Sequence, residues 1–236
     1  MIGLDSELHN LTKDLARSLA KLKIFQYRRS RFVWLLARML GQLLLLPFPS
    51  LVIVPTPYGK FATQKSTARV LSTMMDMLES QVQYSFVENA AGARVFVDVG
   101  ASYGWYSLKA SRIMRAPEAI ISIEPDKNAY RVLLYNIQLN KLGHVVPMRL
   151  ALRDEEGLSK GGDIDVKHTT LDSLMLKCPS INRVDLIKID VEGMALKVLR
   201  GAQRTLSRTR PALLIELHGH EEDGVIPYLK ELGYRH

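Results

Sequence analysis

From Val95 onward the chain alternates short apolar, β-branched runs with stretches of helical periodicity. No other feature limits its architecture as strongly. The runs are RVFVDV (94–99), AIISIE (119–124), HVVPMRLAL (144–152), VDLIKID (184–190) and PALLIEL (211–217). Helical spacing occupies 104–114, 127–141 and 193–208 between them. Strands that are apolar on both faces and separated by helices predict a parallel sheet covered on both sides. Right-handed crossovers make it a doubly wound, mostly parallel α/β sandwich. Ligands of such sheets sit at the carboxyl ends of the strands. Asp98, Glu124, Asp190 and Glu216 fall at or near those ends, and four acids at one rim exceed what structure alone requires. At 236 residues the chain holds one such domain and an extension.

The stretch VFVDVGASYGWYSL follows the pattern strand, acid, small-residue turn, helix. A dinucleotide fingerprint counted from Gly100 needs glycines at 102 and 105, where this chain has Ser102 and Trp105. A P-loop needs a lysine after a later glycine, and none is present. Asp98, just ahead of Gly100, repels phosphate and favours a cation or a hydroxyl donor. Glu124 ends the second strand 20 residues after Gly104, where a carboxylate accepts both hydroxyls of a ribose. A ribose without pyrophosphate, beside acids that welcome positive charge, points to S-adenosyl-L-methionine.

The ordered set VFVDVGASYGWYSLKAS, IISIEPD, TTLDSL, VDLIKIDVEG with VLRGA following, and PALLIELH resembles the FkbM-type methyltransferases, over about Val52 to Tyr234. The resemblance implies a Rossmann-like class I methyltransferase fold, S-adenosyl-L-methionine as cofactor, and O-methylation of a sugar, glycan or glycolipid-type acceptor. It implies a cofactor site of Asp98, Gly100, Ala101, Ser102, Tyr103 and Gly104 around the methionine part. Glu124 with Pro125 would hold the ribose, Leu152 and Asp154 would lie near the adenine, and Asp190 beside the reacting methyl. Three departures stand out. Ala195 replaces an acid often found two residues after the glycine of DVEG. The loop between Leu152 and TTLD is short, which would leave the pocket open. The closing β-hairpin usual in the family does not follow ELGYRH, so we expect either a trimmed form or a sheet edge covered by a partner.

Methyl transfer to a hydroxyl needs alignment, electrostatics and a general base. Asp190, Glu192, Glu216 and His218 are the catalytic candidates. His218 is favoured because its ordinary pKa lies near working pH. Glu216, His218 and His220 alternate along the end of the fifth run and share a face. With Asp190 they could hold a divalent ion; polar residues of a rim loop are the favoured reading, and no metal is expected. A carboxylic acceptor, giving a methyl ester, would need no base.

The net charge is +8, and residues 1–50 hold eight Lys/Arg against three Asp/Glu. We expect a helical, basic extension over 1–50 and the methyltransferase domain over 51–236. Helical spacing runs over 5–26. The apolar run 32–46 is shorter than the roughly 20 residues of a membrane span and carries Arg38 at its centre. Arg28, Arg31, Arg38 and Gln42 make a narrow polar stripe on that helix, which either docks on the protein or lies in a membrane interface. Downstream, LVIVPTPYGKFAT reads as an extended segment, a turn and a return. Residues 67–86 read as a helix with Val70, Leu71, Met74, Met75 and Leu78 on one face. The single cysteine, Cys178, excludes an intrachain disulfide and a Cys-based zinc site and fits a reduced, cytoplasmic compartment. A pI of about 9.6 allows an RNA acceptor. However, DVEG stands where base methylation uses an Asn/Asp-Pro-Pro-aromatic turn, and the basic segment lacks interleaved aromatics. The partners expected are therefore a small-molecule, sugar or glycolipid acceptor, peripheral membrane contact through 1–50, or a second copy of the chain. A scaffold that binds the cofactor without turnover is the non-catalytic alternative.

Overall fold

The computed structural model describes residues 44–45, 51–65, 80–159, 165–219 and 222–235. The chain divides into two compact units, Met1–Gln83 and Tyr84–His236. In the first unit, β1 (Leu44–Leu45), β2 (Leu51–Thr56) and β3 (Gly59–Gln64) form an antiparallel sheet in that order. The hairpin β2–β3 is the extended segment and return expected of LVIVPTPYGKFAT. Its turn closes on Thr56, whose hydroxyl donates to the Gly59 carbonyl at 2.7 Å and accepts from the Tyr58 amide at 3.2 Å. Leu44 and Leu45, expected inside a helix, pair instead with Ile53 and Val52; ladder pairing here overrides the helical propensity of leucine. The helix over 5–26, the rest of 32–46 and the apolar face Val70 to Leu78 lie outside the described residues.

Helix α1 (Ser80–Gly92) leads into the second unit and continues past the expected end at 86. There follow β4 (Val95–Val99), α2 (Trp105–Ile113), β5 (Ala119–Ile123), α3 (Lys127–Leu139) and β6 (Val145–Met148). Next come β7 (Ala151–Leu152), β8 (Gly157–Ser159), β9 (Val166–Thr169) and α4 (Leu171–Leu176). The chain ends with β10 (Leu186–Ile189), α5 (Ala195–Arg200), α6 (Gln203–Thr209), β11 (Ala212–Ile215) and α7 (Glu222–Glu231). Five strands make one wholly parallel sheet in the order β11-β10-β4-β5-β6. This is the expected doubly wound, Rossmann-like α/β architecture. The chain walks outward from β4 to β6, then returns to the other side of β4 with β10 and β11. The crevice at the carboxyl ends of β4 and β10 is thus the switch point of the topology, where such sheets bind ligands.

The two faces of the sheet differ in chemistry. Val95, Val97, Val99, Ile121, Ile123, Ile187 and Ile189 point to one side and pack with Leu171, Val198, Leu199, Leu206 and Val225 from α4 to α7. Each such side chain, fully buried, contributes about 1.5–3 kcal/mol. The other side carries Phe96, stacked edge-on against Phe86 of α1 at 5.5 Å. Beside Phe96 runs a polar row, Lys188–Asp98–Ser122, in register across β10, β4 and β5.

The structure corrects three boundaries. The run 144–152 splits after Met148, and Ala151 and Leu152 pair with His168 and Thr169 in a separate three-stranded sheet, β7-β9-β8. The stretch before TTLD therefore holds two strands where a short loop was expected. Pro147 lies in β6, which is an edge strand of the central sheet and so tolerates the missing amide. The helical stretch 193–208 breaks at Gly201 into α5 and α6. There the backbone rests on Arg153, and a β-carbon would overlap the Arg153 carbonyl oxygen. Among the described residues no helix is long and apolar enough to cross a membrane.

Gly201→Ala forces the α5–α6 bend away from Arg153. Urea denaturation should show a loss of about 3 kcal/mol, the upper range for overpacking a closed contact.

Candidate functional site

The turn after β4 is held by β5. The Gly100 and Ala101 amides both donate to the Ile123 carbonyl, at 3.0 and 2.9 Å, and the Gly104 amide closes on Ala101 at 2.7 Å. Gly100 and Gly104 have φ of +76° and +86°, and Ser102 between them has +49°. These left-handed positions favour glycine, and space demands it as well. A β-carbon at Gly100 would overlap the Asp190 carbonyl oxygen, and one at Gly104 would lie 2.5 Å from Leu133 Cδ1. Ala101 and Tyr103 are buried in the turn, and the Tyr103 carbonyl accepts from Asn136 Nδ2 at 2.8 Å.

Glu124 is 7% exposed and binds two loops at once. Its Oε2 accepts from the Ser102 amide at 2.7 Å and its Oε1 from the Asp126 amide at 2.8 Å. Burial pushes this carboxyl above its ordinary range, against the pull of the two amides. Each oxygen keeps a further lone pair. Pro125, half-buried, follows directly.

Asp98 is not an open-rim acid. Its position in the strand turns it toward α2, where it is wholly buried. Its Oδ2 accepts from Ser107 Oγ at 2.6 Å, and that hydroxyl also meets Ser122 Oγ at 2.7 Å. Its Oδ1 is buried without a hydrogen-bond partner. Burial pushes its carboxyl up, with Lys188 pulling against. Of the four acids expected at the rim, Asp98 and Glu124 thus have structural tasks that the sequence reading did not assign them.

Asp190 and His218 meet at the ends of β10 and β11. His218 Nε2 lies 3.3 Å from Asp190 Oδ1, and Lys188 Nζ lies 3.0 Å from Asp190 Oδ2. Burial raises the Asp190 carboxyl, but the Lys188 ammonium and His218 outweigh it and leave the group below its ordinary range. Glu216 is more exposed, 4.0 Å from His218. Glu192 is exposed on the following turn. Ligand atoms of Asp190, Glu216 and His218 lie within 4.8 Å of one another. The Lys188 ammonium supplies positive charge to the same cluster through Asp190. His220 lies outside the described residues. Leu152 is buried in the main core, and Asp154 is exposed with its backbone against Gly201. His168 is buried and meets the Glu155 carbonyl at 3.0 Å, which ties it to the small sheet.

Sequence reasoning missed Lys188 and the Ser107–Ser122 pair. The signal for Lys188 was present: a lone lysine inside the apolar run LIKID.

Two expectations follow. Glu124→Ala strands two amides at the turn and should cost about 3 kcal/mol in denaturant titrations. Asp190, held below its ordinary pKa, stabilises the fold above that value, and the contribution fades as pH falls through the folded value. Asp190→Asn should therefore lower Tm at neutral pH, and the difference should vanish well below the ordinary aspartate value of about 3.9.

Residues 98–236 match the Methyltransferase FkbM domain. The crystal structure of Methyltransferase FkbM from Methylobacillus flagellatus KT superposes with a TM-score of 0.51 at 21% identity, covering 59% of this chain and 37% of that one. Precorrin-6y C5,15-methyltransferase from Geobacter metallireducens GS-15 gives a TM-score of 0.48 at 14% identity, covering 66% of this chain and 72% of that one. The Methylobacillus likeness bears on the fold alone. The tRNA(Phe) (4-demethylwyosine(37)-C(7)) aminocarboxypropyltransferase of Methanocaldococcus jannaschii is 32% identical over 79 residues, 34% of this chain and 30% of that protein. The chain thus spans about a third of the length of the Methylobacillus and Methanocaldococcus proteins. The domain match takes in more than half of the chain, including the glycine turn, Glu124, Asp190 and His218; the chain belongs to the FkbM methyltransferase family and uses S-adenosyl-L-methionine.

Proposed function

We propose that this methyltransferase acts on a hydroxyl group of a sugar, glycan or glycolipid-type acceptor, with His218 as general base. The observation that carries the reading is the 3.3 Å contact between His218 Nε2 and Asp190 Oδ1. Asp190, kept ionised by its neighbours, only accepts. Nε2 therefore donates, and the lone pair sits on Nδ1. An imidazole so oriented takes the proton of an attacking hydroxyl, and the carboxylate stabilises the imidazolium that results.

The residues fit the cofactor. The glycine turn gives a close backbone approach without a phosphate cradle, and Glu124 offers free lone pairs to the hydroxyls of a pentose. Gly100, Ala101, Ser102, Tyr103 and Gly104 border the methionine part in this reading, with Asp98 beneath them. Glu124 and Pro125 serve the ribose, and Leu152 and Asp154 the adenine side. When bound, S-adenosyl-L-methionine supplies an electrophilic methyl on a sulfonium. Asp190 and His218 line the acceptor side, with Glu192 and Glu216 as outer polar groups. Contact of residues 1–50 with an anionic membrane belongs to the same proposal and is measured by liposome flotation.

A second reading, an RNA acceptor, draws on the net charge of +8 and on the tRNA-modifying relative. Strongly salt-dependent RNA binding would favour it.

The test begins with calorimetry of S-adenosyl-L-methionine binding, using Asp98→Ala and Glu124→Ala as controls that should bind weakly or not at all. A screen of sugar and glycolipid acceptors follows, read by the by-product. S-adenosylhomocysteine reports methyl transfer, whereas methylthioadenosine reports transfer of the aminocarboxypropyl group. On a working acceptor, His218→Gln should lower kcat by about 10²-fold or more. Undiminished turnover in that variant would remove His218 as the base.

A further inference from the structure

Lys188 is the least expected residue of the sheet. It stands in β10 between Ile187 and Ile189 and is 5% exposed. A buried ammonium costs several kcal/mol unless well paired, and an apolar residue of similar size is usually cheaper. Lys188 is closely surrounded. Its Nζ lies 3.0 Å from Asp190 Oδ2, 3.4 Å from the Gly100 carbonyl and 5.1 Å from the centre of the Tyr106 ring. Across the sheet its register partners are Asp98 on β4 and Leu214 on β11. One ammonium thus joins the first residue of the cofactor turn to the carboxylate that contacts His218. Those two groups belong to different strands and, in the proposed reaction, to different reactants.

We propose that Lys188 is a positioning residue for methyl transfer: its ammonium clamps the Gly100 carbonyl and the Asp190 carboxylate into one unit, so that the cofactor turn and the partner of His218 hold a fixed relation. This rests on the assignment of Asp190 and His218 above. A second effect follows from the charge. Asp190 is shared between Lys188 and His218, so the ammonium limits how strongly the carboxylate draws a proton onto the imidazole. Among the described residues, the charged groups around His218 are Asp190 at the end of β10, Glu216 beside it at the end of β11, and Lys188 behind Asp190. Around Lys188 they are Asp98 and Asp190, with the buried Lys109 ammonium also on the Tyr106 ring, 5.9 Å from its centre. If Lys188 merely neutralised Asp98 in the interior, its removal would change stability but not His218.

The experiment compares the 236-residue chain with its Lys188→Met variant by two readouts that need no acceptor. NMR titration of the His218 ring should show its pKa raised by about one unit, because Asp190 then pairs with the imidazolium alone and a nearby cation is gone. Calorimetry should show S-adenosyl-L-methionine bound roughly tenfold more weakly, since the turn loses a charge-assisted contact. Lys188→Gln, neutral but still a donor, replaces the variant if Lys188→Met does not fold. Asp190→Asn calibrates the titration, since it should lower the His218 pKa. An unchanged His218 titration in a folded variant overturns the proposal, and so does unchanged cofactor affinity, since the clamp must serve both. Neither readout involves turnover. Lys188 can therefore fail while His218 stands as base, and the reverse result is equally distinguishable.

Discussion

The parallel pairing of β4 with β10 is the constraint on which the rim depends. These strands are distant in sequence and adjacent in the sheet only because the chain doubles back at this point. Their register sets Asp98 beside Lys188 and brings Gly100 against the Asp190 carbonyl. That contact leaves no room for a side chain, so the glycine is fixed as much by the neighbouring strand as by its own dihedral. Both sides of the proposed reaction are built on this seam.

The sheet is asymmetric in a way that suits such a task. The face toward α4 to α7 is apolar throughout and supplies the cohesion. The face toward α1 and α2 includes a short row of charge and hydroxyl groups. In a low-dielectric interior a satisfied polar network is rigid and an unsatisfied one is costly. Ser107 donates to one oxygen of Asp98 and also meets the Ser122 hydroxyl, and Lys188 stands beside Asp98 on the neighbouring strand. The network is only partly satisfied, since Asp98 Oδ1 is buried without a hydrogen-bond partner.

Much of the fold was legible in the sequence because a parallel sheet covered on both faces writes continuous apolar runs. All five central strands lie where those runs are, and the helix after the glycine turn begins at Trp105, inside the quoted motif. Legibility failed where partners were set by distant contacts. The break at Gly201 depends on the Arg153 backbone, and the parting of β6 from β7 depends on β9. Leu44 and Leu45 are good helix formers diverted by an available strand. The site was half readable: Glu124 and the glycines announce themselves by spacing, but the inward turn of Asp98 and the reach of Lys188 depend on which face each residue takes. Strand alternation alone gives that only once the covering helix is known.

Glu124 carries one more implication. Its carboxylate serves two backbone amides, so in the proposed reading a pentose would join an existing arrangement instead of creating one. On that reading, recognition at that end of the hollow is preorganised and docking has little ordering entropy left to lose. If the proposed site holds, attempts to retool it for altered nucleosides would do better from the adenine side, because any exchange at position 124 also loosens the two loops that Glu124 ties together.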